Sequence, residues 1–164
     1  MQRPPQRWMP RRKWENLISG KECPICDDLD KAEVEQPNFV APLGVSVLRL
    51  SRNQYVRGYC FLIYEKHAAE IHELPPGQAA AFMADMATAG RAIASVFSPA
   101  KMNYQILGNA VPHLHCHIVP RYFGDPAPSH PIDPGAEIRL LKPAEYKQII
   151  SDLREALKTE EVHT

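Results

Sequence analysis

The chain has 164 residues, 45% of them hydrophobic and 23% charged, with a formal net charge of zero. This is long enough for one domain with its own core, and the composition excludes collagenous or low-complexity chains. No apolar run reaches the ~20 residues of a membrane-spanning helix, and the N-terminus lacks the apolar segment of a secretory signal. A cytoplasmic protein with no membrane partner is therefore expected.

Residues 1–14 carry Arg3, Arg7, Arg11, Arg12 and Lys13 and no acid, which leaves the remainder at net −5, 14 bases against 19 acids. The Pro/Arg-rich composition predicts an irregular basic arm anchored by Trp8 and Trp14, ahead of a single domain over 15–164. Because the rest of the chain is acidic, nucleic acid is not an expected partner. Within 15–29, Cys23-Pro24-Ile25-Cys26 stands in a polar, turn-prone segment. In a reducing compartment such a pair is a metal knuckle or a redox dithiol more often than a structural disulfide. Residues 30–38 read as a polar connector and 39–50 as a strand interrupted at Pro42 and Gly44. A turn over 53–57 precedes a strongly β-prone run, 58–64, with Lys66 and His67 just past its end.

Pro75-Pro76-Gly77 opens a helix over 78–97, with Phe82, Met86, Ile93 and Phe97 at helical spacing and Ser98-Pro99 as its stop. A strand over 102–107, a tight Gly108-Asn109 turn and a histidine-bearing strand follow. Residues 124–136 are Pro/Gly/Asp-rich and predict a long loop. A short strand over 137–141 and an amphipathic helix over 144–158 complete the chain. Cys60 and Cys116 sit singly in apolar runs and read as core. The order β-β-α-β-β-α indicates an α+β fold with an antiparallel sheet.

His113-Leu114-His115-Cys116-His117-Ile118-Val119 sets three histidines at strict alternation. On a strand of period two, all three rings share one face while Leu114, Cys116 and Ile118 enter the core. Three polar rings side by side are costly to bury without hydrogen bonds, a metal or a ligand. They fit a zinc site with an open position, a nucleophilic histidine with helpers, or satisfied core histidines. Arg121 suits phosphate recognition, and the backbone amides of Gly108-Asn109-Ala110 suit an anion. Together these flanking features favour phosphate chemistry.

The stretch Asn103 to Arg121 resembles the histidine triad (HIT) superfamily, whose motif is His-φ-His-φ-His-φ-φ with φ apolar. The run from Gly58 to His67 is similar to that family's preceding strand, and the resemblance covers about residues 39–125. It implies an antiparallel half-barrel sheet with one long central helix and a C-terminal helix, and a homodimer. It also implies hydrolysis or transfer of nucleoside monophosphate groups, from a nucleoside (poly)phosphate such as a dinucleoside polyphosphate. By the resemblance, His115 attacks the α-phosphate and forms a covalent nucleotidyl-histidine. His117 then contacts the phosphate and helps protonate the leaving group, and His113 orients the site. Asn103 and Asn109 match amide positions that contact phosphate or leaving group, and Asn53 is the candidate for ribose. The Pro120-Arg121 ending resembles the dinucleoside polyphosphate branch.

Ala110 departs from the many relatives that carry Ser or Thr there. It keeps open a second reading, a zinc-stabilised nucleotide-binding module with little or no catalysis. Some bacterial relatives hold a structural zinc ion through a Cys-x-x-Cys pair and two histidines. The matching positions are Cys23, Cys26, His67 and His113, implying one structural zinc per chain.

Overall fold

The computed structural model describes residues 8–31, 36–126 and 129–161. Two short helices come first, α1 at Arg11–Ile18 and α2 at Pro24–Leu29. The predicted irregular arm thus ends earlier than expected: Arg11, Arg12, Lys13 and Trp14 are helical, while Arg3 and Arg7 lie outside the described residues. An Arg11–Glu15 pair one turn apart (2.7 Å), burial of Leu17 and edge packing of Trp8 on Trp14 (5.0 Å between centroids) account for the helix.

Strands β1 (Phe39–Pro42), β2 (Ser46–Leu50), β3 (Cys60–Tyr64), β4 (Lys101–Ile106) and β5 (His115–Arg121) form one antiparallel sheet in the order β1-β2-β3-β5-β4. The interrupted strand expected over 39–50 is in fact a hairpin. Asp85 of helix α3 (Pro76–Phe97) accepts bonds at its turn from Gly44 N (2.9 Å), Val45 N (2.8 Å) and Ser46 Oγ (2.6 Å). No strand forms over 137–141. That stretch is instead a loop held to the sheet's entry by Asn53 and Gln54. Helix α4 (Pro143–Glu161) packs beside α3 against the sheet.

Between helices and sheet lies the core, including Leu48, Leu50, Leu62, Phe82, Ile93, Leu114, Cys116, Ile118 and Leu153. Strand parity decides which residues reach it. Cys60, Leu62 and Tyr64 on β3, with Cys116 and Ile118 on β5, point to the helices. Phe61, His115 and His117 take the other face, where Val56, Tyr59, Val119 and Ile132 form a second, smaller cluster. Among the described residues, no helix is long and apolar enough to cross a membrane.

Candidate active site and metal centre

The histidines divide between two sites. β5 begins at His115, so His113 precedes the strand, and the connection from β4 is a loop over 107–114 rather than a two-residue turn. Pro112 has no N–H for a ladder, His113 N bonds Val111 O (2.8 Å), and Leu114 N bonds Ala68 O (2.7 Å). This path turns the fully buried His113 ring toward the knuckle.

Cys23 Sγ lies 3.4 Å from His113 Nδ1, while Cys26 Sγ lies 3.5 Å from the same atom and 3.3 Å from His67 Nδ1. The four ligand atoms of Cys23, Cys26, His67 and His113 all fall within 4.8 Å of one another. Each imidazole donates its Nε2–H to a carbonyl, His67 to Ile18 O and His113 to Tyr64 O, both at 2.8 Å. Both Nδ1 lone pairs are thereby aimed at the sulfurs. Two thiols and two preset imidazoles fit a closed tetrahedral zinc site, whose ~2.0–2.3 Å bonds need such spacing. Gly20, at φ +79°, makes the space: a Cβ there would stand 3.2 Å from the His67 ring. Without a cation, burial and then the neighbouring Cys23 push the Cys26 thiol up to about 12. A bound cation reverses that and stabilises the thiolate. Buried Arg49 of β2 pairs with Asp28 of α2 and Gln36, fastening the knuckle helix to the sheet.

His115 and His117 remain together on β5. His115 donates its Nδ1–H to His113 O at 2.6 Å, and its Nε2 stands 3.1 Å from His117 Nε2. His117 Nδ1 lies 2.6 Å from the Tyr59 hydroxyl. Burial, then His115, hold His117 down at about 4, so its ring is neutral near pH 7. Both rings open on a cavity of about 270 Å³, walled by Leu107, Gly108, Asn109, Ala110, Val111 and Ile25. Ile25 comes from within the Cys-x-x-Cys segment, so the knuckle also forms part of this wall.

Asn109 therefore joins the cavity, whereas Asn103 does not. Asn103 accepts from Arg121 Nη1 (3.0 Å) and lines a second cavity of about 420 Å³ with Gln105, Arg121 and His130. The Arg121 guanidinium is also engaged by Asp125 (2.9 Å) and by His130 O (2.9 Å). Asn53 spends its side chain on Pro134 O (3.1 Å), Glu137 O (2.7 Å) and Arg139 N (2.8 Å), tethering the loop ahead of α4. Three residues near the histidines escaped the sequence reading: Ile25, Gln105 opposite His117 on β4, and Tyr59. Tyr59 was legible by parity, standing two residues before Phe61, which pairs with His117.

A family model described as "HIT domain" matches residues 33–124, more than half of the chain. Among solved structures, a histidine triad protein from Bradyrhizobium japonicum is 25% identical at TM-score 0.66, covering 78% of this chain and 97% of its own. A Zn-bound histidine triad family protein from Mycobacterium smegmatis is 22% identical at TM-score 0.63, covering 87% and 98%. Plasmodium falciparum diadenosine triphosphate hydrolase, in complex with cyclomarin A, is 12% identical at TM-score 0.55, covering 76% and 78%. No curated protein matches.

Proposed function

Since this chain belongs to the HIT domain family, we propose that it is a nucleotide hydrolase or nucleotidyl transferase acting at the α-phosphate of a nucleoside (poly)phosphate. The observation that carries this is the bond from His115 Nδ1–H to His113 O (2.6 Å). It keeps the proton of the neutral ring on Nδ1 and leaves the Nε2 lone pair at the cavity as the nucleophile. In this reading Nε2 attacks phosphorus, and the bond from phosphorus to the leaving group breaks with its electron pair. Water or another acceptor then displaces His115 and releases the nucleotide. His117 meets the phosphoryl group from beside it, and Asn109 with the 108–111 backbone forms the facing wall. A dinucleoside polyphosphate is the substrate class we favour, supported by the hydrolase among its structural relatives.

Cys23, Cys26, His67 and His113 are read as one structural zinc site, supported by their preset nitrogens and by the Zn-bound relative. Its four positions are all protein ligands, so the metal would fix the His113 backbone, and hence the carbonyl on His115, without entering the reaction. We read the protein as a cytoplasmic homodimer, with exposed Tyr104, Ile106 and Leu107 at and beside edge strand β4 as the apolar contact.

The test is acid-sensitive trapping of label from an α-³²P dinucleoside polyphosphate. Wild type should accumulate protein-bound label under single turnover, and His115→Ala should lose turnover by at least about 10³-fold. Label or turnover that survives His115→Ala overturns the mechanism.

A further inference from the structure

The Tyr59 hydroxyl lies 2.6 Å from His117 Nδ1, its ring stacked nearly parallel to the imidazole (11° between planes, centroids 6.0 Å). Tyr59 is 5% exposed and packs against Phe61 at 4.8 Å. Its backbone is held as firmly as its ring. Buried Gln54 accepts from Gly58 N (2.8 Å) and donates to the carbonyls of Ser51 (2.8 Å) and Tyr59 (3.1 Å). Gly58 adopts φ +80° under the Phe97 ring, a conformation and a clearance that only glycine meets easily.

The proton positions along this contact chain follow from its ends. A carbonyl only accepts, so His115 must carry its proton on Nδ1 against His113 O. In the neutral ring its Nε2 is then an acceptor. The atom facing it, His117 Nε2 at 3.1 Å, must therefore be the donor. A neutral His117 with its proton on Nε2 has a bare Nδ1, which needs a donor, and Tyr59 O–H is the group in place. Burial keeps the phenol above its usual range, so it retains that proton.

Building on the reading of His115 as nucleophile, we propose that Tyr59 is a positioning residue that acts through His117. By donating to Nδ1, it fixes the His117 proton on Nε2, the nitrogen that faces His115 and the cavity. In the resting site that N–H is donated to the nucleophile's lone pair. When a phosphoryl oxygen enters, the same N–H is donated to the oxygen instead, and His115 Nε2 is freed to attack. No proton leaves Tyr59 at any point. Without the hydroxyl, Nδ1 is a buried acceptor with no donor, so the Nε2–H form loses that support and rests on the His115 contact alone. Once an entering phosphoryl oxygen draws the N–H away from His115, nothing behind the ring holds the proton on Nε2, and a ring that carries it on Nδ1 presents a lone pair to the anionic oxygen and repels it.

The test uses two readouts, one of which needs no substrate. In ¹⁵N NMR of the wild-type protein, His117 should carry its proton on Nε2, and in Tyr59→Phe a measurable share of it should move to Nδ1. Tyr59→Phe keeps both ring contacts, and its thermal midpoint reports folding. In single turnover its nucleotidylation rate should fall about 10- to 100-fold, the loss typical of an indirect hydrogen-bond partner and well below the ~10⁴-fold of a triad's orienting carboxylate, with KM little changed. A wild-type His117 protonated on Nδ1 overturns the inference with no variant required, as does an unchanged tautomer and rate in folded Tyr59→Phe. Running His115→Ala alongside separates the two claims. Surviving label there defeats the nucleophile assignment, whereas a dead His115→Ala with an unaffected Tyr59→Phe defeats only the role of Tyr59.

Discussion

The two histidine pairs sit on neighbouring backbone and differ in which ring nitrogen a carbonyl claims. In His67 and His113 the carbonyls of Ile18 and Tyr64 take Nε2–H, leaving Nδ1, the nitrogen nearer the main chain, for the sulfurs. In His115 the carbonyl of His113 takes Nδ1–H and leaves Nε2, the outer atom, for the cavity. One arrangement suits an ion held tightly between segments, and the other suits a group that must come and go. On the proposed reading, the same side chain serves as ligand or as nucleophile according to its hydrogen bond on the far side. Residue 113 serves both, with its ring in one site and its carbonyl in the other.

The largest expected effect divides the pairs outright. Cys23→Ser should lower zinc from about one per chain to none by elemental analysis, a loss of well over the ~100-fold in affinity that weaker, indirect partners command. It should also lower the thermal midpoint and slow nucleotidylation by loosening the His113 carbonyl. His115→Ala should leave metal content and midpoint where they are while removing the chemistry. A wild-type protein purified without metal, melting as Cys23→Ser does, defeats the zinc assignment.

Smaller, and at the other end of β3 from His67, is the effect of Gly58→Ala. A left-handed φ of +80° and a Cβ 2.7 Å from the Phe97 ring should together cost about 1–3 kcal/mol in denaturant unfolding. Because Gly58 N is the donor to Gln54, the same change should displace Tyr59 and carry over part of the Tyr59→Phe rate loss. An unaltered unfolding midpoint would mean that the turn tolerates a side chain.

Legibility in the sequence follows the range of the interactions. Period-two alternation places Cys116 and Ile118 inward and His115 and His117 outward, as found, and helical spacing finds α3 to within two residues at its start. Position 113 fails because its conformation is set by Pro112 and by a knuckle 90 residues earlier in the chain, which alternation cannot see. Residues 137–141 look like a strand by composition, yet their polar backbone partners are Asn53 and Gln54, not a neighbouring strand. Arg121 reads as a phosphate ligand because its charge is visible, whereas Asp125 and the His130 carbonyl, which occupy it, come from a loop whose fold has no period. The resemblance supplies the family and the four residues that cluster at the knuckle. It does not supply Tyr59 as the partner of His117, which emerges only when β3 and β5 are laid side by side.

The smallest effect separates the pairs by pH. Burial and His115 hold His117 at about 4, against 6.5 for an unhindered ring. As pH falls below 6.5 the unfolded chain binds this proton first and the folded chain resists it down to about 4. The stability gained from a neutral His117 is thus fully present above 6.5 and is lost progressively as pH drops toward 4. Other groups titrate in the same window, so the informative quantity is the difference between wild type and His117→Gln, measured at fixed free zinc. Between about pH 7.5 and about pH 4.5 the wild-type unfolding free energy should decline more steeply than that of the variant. Glutamine offers no proton site, and the cluster of Cys23, Cys26, His67 and His113 contributes equally to both curves. Parallel curves would mean that His117 is charged as readily in the fold as outside it, and the neutral donor facing His115 would be lost with that result.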